Sequence, residues 1–440
     1  MNHTAHRRRS RVVAAFLLLA SGALFAGCAN VARKDPPDPR HFDIVPVGFP
    51  SSVRTIRMLP QPLQSQAVDV PSRVRPASRN EPINVLALSG GGAGGAFGAG
   101  VLVGWSREGT RPEFQVVTGV SVGALIAPFA FLGPSWDGQL AEAFSGVKAE
   151  HLLQRRWSRV LFGSSIYRGE PLSALVDSYV TRELVHAIAV AAANGRLLLV
   201  ATTNLDTEQT VIWNLTAVAA QGGEHARKLI RDVLIAAASI PGAFPPVMIR
   251  VEASGQSFDE MHVDGATTTS IIAGPEIGGF MRPPLDSLLG AHLYIIVNGQ
   301  LGAVAQRTPI KTLGIIKRGL GAELRSSARA DFAIVSAVAE SNGMTVKAAE
   351  IPSDYPYRDL LDLQPSRMRA LFDFAARCAE LEQLWATPIE VQERTEHALA
   401  GRSGEMAQCP ARTPWHAQPH EALAAPREWT AMQPVGIRPE

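Results

Sequence analysis

Residues 119–123, Gly-Val-Ser-Val-Gly, hold Ser121 in a G-x-S-x-G frame. That spacing suits a sharp strand-to-helix turn, with the serine hydroxyl at its tip and glycines that let the helix pass close to the strand. The chemistry such a serine performs is nucleophilic attack on an acyl carbon. Upstream, Gly90, Gly91 and Gly92 open the run GGGAGGAFGAG. Backbone amides there are free of side-chain obstruction and can hold negative charge. Gly90, Gly92 and Gly95 also satisfy G-x-G-x-x-G, so a dinucleotide phosphate is a rival occupant. That rival wants an acidic residue roughly 20 positions on, at the end of the next strand. The GVSVG turn occupies that place and Glu113 precedes the strand. An oxyanion loop uses both segments: the N–H groups of Gly91 and Gly92, with Ala93 as a further candidate, sit at a helix N-terminus where negative charge develops.

A serine needs a base to become a nucleophile at neutral pH. Beyond Asp264 the histidines are His292, His397, His416 and His420. His292 opens an apolar strand, His397 lies in a polar helical region, and the other two fall in a proline-rich tail. None is placed to be a base. Asp264, in HVDGA, ends a strand before a glycine, which leaves its carboxylate at a sheet edge with room for an incoming group. Alternation along MHVD puts His262 on the same face as Asp264, where it faces solvent or tunes the carboxylate. Asp206 falls in a tight turn, where aspartate bonds its own backbone.

The elements that must position these groups are legible around them. INVLAL (83–88) is a continuous apolar strand buried on both faces. Phe97, Val101, Leu102 and Trp105 then recur at helical spacing, FQVVTGV is a second strand, and VGALIAPFAFLG a second helix. Strand, glycine turn, helix, strand, sharp turn, helix is an α/β arrangement with a parallel sheet. GRLLLVATTNL and QTVIWNL flank DTE as a hairpin or sheet-edge pair; SGQSFDEMHVDGA holds a short strand and AHLYIIVNG a strong one. Helices are expected over 311–340 and 366–384, with the strand MTVKAAEI between them.

Taken in order, LSGGGAGGAFGAGVL, GVSVG, AAASIPGAFPPV (236–247) and HVDGA resemble the patatin-like phospholipase family over roughly residues 84–266. The resemblance implies a three-layer α/β/α hydrolase fold with a mostly parallel central sheet and C-terminal helices. It implies a Ser–Asp dyad without histidine: Ser121 as nucleophile, Asp264 as base, and Gly90, Gly91 and Gly92 as the oxyanion hole. It also implies a lipid or phospholipid ester substrate and no metal or organic cofactor. SIPGAFPPV shapes a loop near the site. One departure stands out: the family loop commonly reads G-G-G-x-R-G, and Gly94 occupies the arginine position, which leaves hydrolysis better supported than a phospholipid preference. A lipid-binding envelope protein that keeps the site as a relic is the alternative.

The ends of the chain read differently. A basic stretch (1–11), an apolar stretch (12–25) and Ala26-Gly27-Cys28 resemble a bacterial lipoprotein signal, removed over 1–27 with acylation of Cys28; an ordinary secretory signal cut nearby is the alternative, and either exports the protein. Ala29 follows the cysteine, so the expected address is the outer membrane. The proline-rich stretch 28–82 reads as a tether, 83–300 as the patatin-like domain, 301–400 as its mainly helical C-terminal extension, and 401–440 as a weakly ordered tail. HLLQRRWSRVLFG (151–163) is a basic amphipathic stretch for the core or a bilayer surface. Cys378 and Cys409 either pair in an oxidising compartment or leave Cys378 a buried thiol. With 46% hydrophobic and 19% charged residues the chain is globular; a net charge of +2 argues neither for nor against a nucleic-acid partner, and the dispersed arginines argue against a duplex-binding footprint.

Overall fold

In the computed structural model the described residues are 33–37, 44–56, 74, 82–146, 165–273, 289–302, 308, 310–397 and 408–410. The leader, Cys28, the stretch 151–163, His416 and His420 lie outside them. Among the described residues ten strands form one mixed sheet: β1 (Val45–Pro46), β2 (Arg54–Ile56), β3 (Asn84–Leu88), β4 (Val116–Val120), β5 (Leu197–Asn204), β6 (Gln209–Asn214), β7 (Val247–Ala253), β8 (Gln256–Asp264), β9 (His292–Val297) and β10 (Thr345–Glu350). Strands β10, β9, β3, β4 and β5 run parallel in that order, and β6, β7 and β8 join antiparallel.

The parallel strands are continuous apolar runs because both of their faces are covered. In β3, Leu86 and Leu88 enter one core cluster while Val85 and Ala87 enter the other. The first cluster is closed by helices α1 (Gly95–Glu108), α2 (Val122–Leu132), α3 (Asp137–Phe144), α4 (Glu170–Tyr179), α5 (Arg182–Ala193), α6 (Leu215–Ala220), α7 (Gly223–Ala237) and α9 (Pro365–Glu380). The second is closed by α8 (Thr312–Ser341) and α10 (Pro388–His397). The fold is therefore mixed α/β, a central sheet between helical layers. Among the described residues no helix is long and apolar enough to cross a membrane.

Part of the proline-rich stretch read as a tether belongs to this body. β1 pairs with β7 and β2 pairs with β6, both antiparallel. What holds β2 is a buried charge: the Arg54 guanidinium meets Glu260 at 2.5 Å, and its Nη2 donates to the Ile44 carbonyl at 3.0 Å. A buried guanidinium needs such partners, and hydropathy does not reveal them. Cys378 and Cys409 form a disulfide with Cα atoms 5.3 Å apart, which resolves the alternatives left by their spacing.

Candidate active site

Strand β5 explains why two residues 143 positions apart meet. One edge of β5 is taken by β6 over Leu199–Asn204. The other edge is shared: β4 pairs with it up to Val120 opposite Ala201, and β8 takes over with Asp264 opposite Thr202. Because β4 is parallel and β8 antiparallel to β5, their C-terminal tips meet end to end. Ser121 is the residue after one tip and Asp264 is the other.

Ser121 Oγ donates to Asp264 Oδ2 at 2.6 Å, and both residues are almost fully buried. Ser121 has φ 54° and ψ −126°. That conformation costs a non-glycine residue about 1–3 kcal/mol, which the flanking strand and helix must offset. Among the described residues the Asp264 carboxylate has one other bond, accepting the Ala266 N–H on Oδ1 at 2.8 Å. Burial pushes its pKa up to about 7, against the pull of the Ser121 hydroxyl and the Ala266 N–H. A carboxyl in that range exchanges protons near neutrality, which suits a general base.

The glycine loop lies against this pair. A methyl group on Gly90 would come within 3.2 Å of Ser121 Cβ and of Ala266 Cβ. Backbone accounting corrects the expected donors. The Gly90 N–H is spent on the Ser270 carbonyl at 3.3 Å. The Ala93 N–H is spent on the Leu360 carbonyl at 2.8 Å. The N–H groups of Gly91 and Gly92 have no partner among the described residues, and Gly92 lines the same cavity as Ser121.

Three residues missed at the sequence level hold the loop in place. The Tyr357 hydroxyl donates to the Gly91 carbonyl at 2.9 Å; burial pushes its pKa up, so it stays a donor. Asn298 Nδ2 donates to the Ser89 carbonyl at 2.7 Å, and Leu360 supplies the carbonyl just named. They also account for Gly94. A Cβ there would sit 1.9 Å from the Asn298 carbonyl oxygen and 3.2 Å from the Tyr357 hydroxyl, so any side chain is excluded. Gly92, at φ 55°, is excluded from substitution the same way by the Leu360 carbonyl. No local motif marks Tyr357 or Leu360; Asn298, directly after a strong strand, carried a weak positional signal.

Other candidates fall away from the centre. His262 is fully buried rather than solvent-facing, packed against the Trp213 ring of β6 and bonded to Thr202 and Glu260. Its Nδ1 lies 2.9 Å from Thr202 Oγ1 and its Nε2 3.1 Å from Glu260. Trp213 Nε1 donates to Thr202 Oγ1, so the hydroxyl donates onward to Nδ1 and Nε2–H donates to the carboxylate. Burial holds this ring neutral, its pKa pushed down. Asp206 is tied to Arg33 and to the Met261 N–H. His292 starts β9 opposite Asn84, at the far end of the strands from Ser121. The segment 236–247 touches the site directly: the Ser239 carbonyl accepts the Asp264 N–H at 3.0 Å, and Ile240 and Phe244 line the cavity.

That cavity encloses about 1000 Å³ including its open mouth. It runs from Ser121 and Gly92 between α2, α4 and the segment 360–368, along Leu125, Phe129, Phe144, Leu172, Val176 and Leu361. The walls are almost wholly apolar, the environment a hydrocarbon chain takes.

Residues 86–275 match the family model described as patatin-like phospholipase. Over these residues the chain is similar to patatin-like phospholipases, a family of lipid acyl hydrolases, and the match includes Ser121 and Asp264 but not Asn298, Tyr357 or Leu360. A solved structure with a detectable likeness is the crystal structure of VipD from Legionella pneumophila, 13% identical, covering 69% of this chain and 67% of that one, with a TM-score of 0.34. No curated protein matches the chain significantly.

Proposed function

We propose that this chain is a serine hydrolase of lipid acyl esters, a phospholipase A or lipid acyl hydrolase. The observation that carries the reading is the 2.6 Å hydrogen bond from the Ser121 hydroxyl to the buried Asp264 carboxylate. Asp264 takes the proton from Ser121 as Oγ bonds to the ester carbonyl carbon. The carbonyl oxygen becomes an oxyanion, held by the N–H groups of Gly91 and Gly92. Collapse breaks the bond to the alcohol oxygen, which receives the proton from Asp264, and leaves an acyl-serine. Water then attacks with Asp264 again as base, releasing the fatty acid and restoring the serine. The apolar cavity beside Ser121 supports a long acyl chain as the group transferred. The close packing around Gly94 gives a structural reason for the glycine there.

Acylation of Cys28 and outer-membrane placement belong to the same proposal. Their support is the order of basic, apolar and small residues over 1–28, with the Cys378–Cys409 disulfide, which suits an oxidising compartment. The test of function is a panel of phospholipids and acylglycerols incubated with the protein and read by mass spectrometry, with Ser121→Ala as control. Release of fatty acid by the parent alone is expected. Equal release by both, or none by either, would refute hydrolysis at this site.

A further inference from the structure

Helix α8 extends well past the sheet it packs on. Phe332, Val335 and Ala339 in its C-terminal half are buried against the strands. The helix feeds through a short turn into β10, which is parallel to β9, so it runs antiparallel to the strands and its N-terminus points toward the side bearing Ser121. At Arg325, whose Nε donates to the Gln300 carbonyl at 3.1 Å, it is already level with residues beyond the end of β9. From there back to Thr312 the axis covers about 20 Å more. Leu320, on this overhang, packs against the core cluster that also takes Tyr357 and Leu360.

The tip of the overhang is apolar and bare. Ile310 is 96% exposed, Ile315 54% and Ile316 60%. From Ile310 to Ala322 the sequence carries Lys311, Lys317 and Arg318 and no carboxylate. The amino-terminal chain is held on the same side, where Arg33, five residues after Cys28, pairs with Asp206 in the turn beyond β5.

We propose that this tip, Ile310 through Arg318, docks the protein on the surface of an anionic phospholipid bilayer. Exposed isoleucines, in a stretch whose sequence from Ile310 to Ala322 carries three cations and no acid, complement a layer that is negative at its surface and apolar beneath. The inference rests on the lipid-ester reading for its purpose: an enzyme whose ester lies packed in a bilayer must bring Ser121 to that surface, and the tip stands on that side.

The test uses the full chain with Ser121→Ala and Cys28→Ser, so that neither hydrolysis nor an acyl anchor contributes. Flotation with vesicles of phosphatidylglycerol and phosphatidylcholine in equal parts gives the lipid concentration that binds half the protein. Adding Ile315→Glu and Ile316→Glu should raise that concentration at least about tenfold. Pure phosphatidylcholine vesicles should bind the parent more weakly, and high salt should narrow the difference between the two compositions. The two glutamates sit within the first five residues of a helix, near the end where acids are tolerated, so circular dichroism and hydrolysis of a soluble short-chain ester by the Ser121 form should be unchanged. Equal flotation of parent and double variant would overturn the docking patch. Conversion of a dimer to a monomer without change in flotation would overturn it too, in favour of a self-association face. Patch-dependent flotation of a protein that hydrolyses no ester would refute only the function; hydrolysis with patch-independent flotation would refute only the patch.

Discussion

Replacing Asp264 by Asn mimics the protonated carboxyl that burial favours: Asn can accept the Ala266 N–H on its oxygen and donate from its amide to Ser121 Oγ. The parent pays for ionising that carboxyl in an apolar site. Its pKa is about 7 in the fold against 3.8 for an ordinary aspartate. Between those values the unfolded chain has released its proton while the folded chain retains it, so the unfolded state binds fewer protons and parent stability falls as pH rises. The fall begins near pH 4, is complete by about pH 7, and is flat above. Roughly three pKa units at 1.36 kcal/mol each give about 4 kcal/mol. Glu350, a second buried carboxyl pushed up to about 7, titrates in the same window, but it is common to both proteins and cancels in the comparison. Urea unfolding followed by circular dichroism from pH 4 to pH 9 is the assay. Asp264→Asn should match the parent near pH 4 and exceed its stability by about 4 kcal/mol at pH 8. A gap that does not grow with pH, or a variant less stable than the parent at pH 8, would refute the buried-acid reasoning.

Other outcomes follow from the same geometry. Parent kcat/KM on a soluble nitrophenyl ester should lose about tenfold per pH unit below an apparent pKa near 7, because Asp264 must be ionised to act as base; a flat profile from pH 5 to pH 8 would contradict that role. Tyr357→Phe removes the donor to the Gly91 carbonyl and should lower kcat about tenfold with little change in KM, a loss of about 1.4 kcal/mol in the transition state; unchanged kcat would dismiss the strap. Gly94→Ala places a methyl group 1.9 Å from the Asn298 carbonyl oxygen and should lower Tm by several degrees, on the order of 2 kcal/mol; an unshifted Tm would mean the loop yields freely. Leu172→Trp should fill part of the cavity and shift the preferred acyl chain toward shorter lengths, measured across a nitrophenyl ester series.

Much of the site is local in sequence, which is why it could be read there. The glycine run, the GVSVG turn and the HVDGA strand end are each contiguous, and each sits at the C-terminal tip of a strand whose apolar pattern is plain. Their meeting along one edge of β5 is a matter of register, and no periodicity encodes it. The supports of the loop are harder still: Tyr357 and Leu360 reach it from more than 260 positions away, outside any helix or strand, through one hydroxyl and one carbonyl. β1 and β2 escaped notice because short strands among prolines have too few residues to show alternation. β7 was a different failure. Ile249, Val251 and Ala253 face inward with Arg250 and Glu252 between them, the period of a half-buried strand, but over so short a run that it went unread. His262 was read as facing solvent or tuning Asp264; Arg54, contributed from the proline-rich stretch, pairs with Glu260 beside it and helps to bury it, which local sequence does not encode.

The central claim is that Ser121 is a nucleophile activated by Asp264. Treating the protein with a fluorophosphonate and locating the adduct by mass spectrometry tests it most directly. Modification of Ser121 in the parent, slowed at least about a hundredfold in Asp264→Asn, is the expected result. An unmodified Ser121, or equal labelling of it in both proteins, would contradict the dyad.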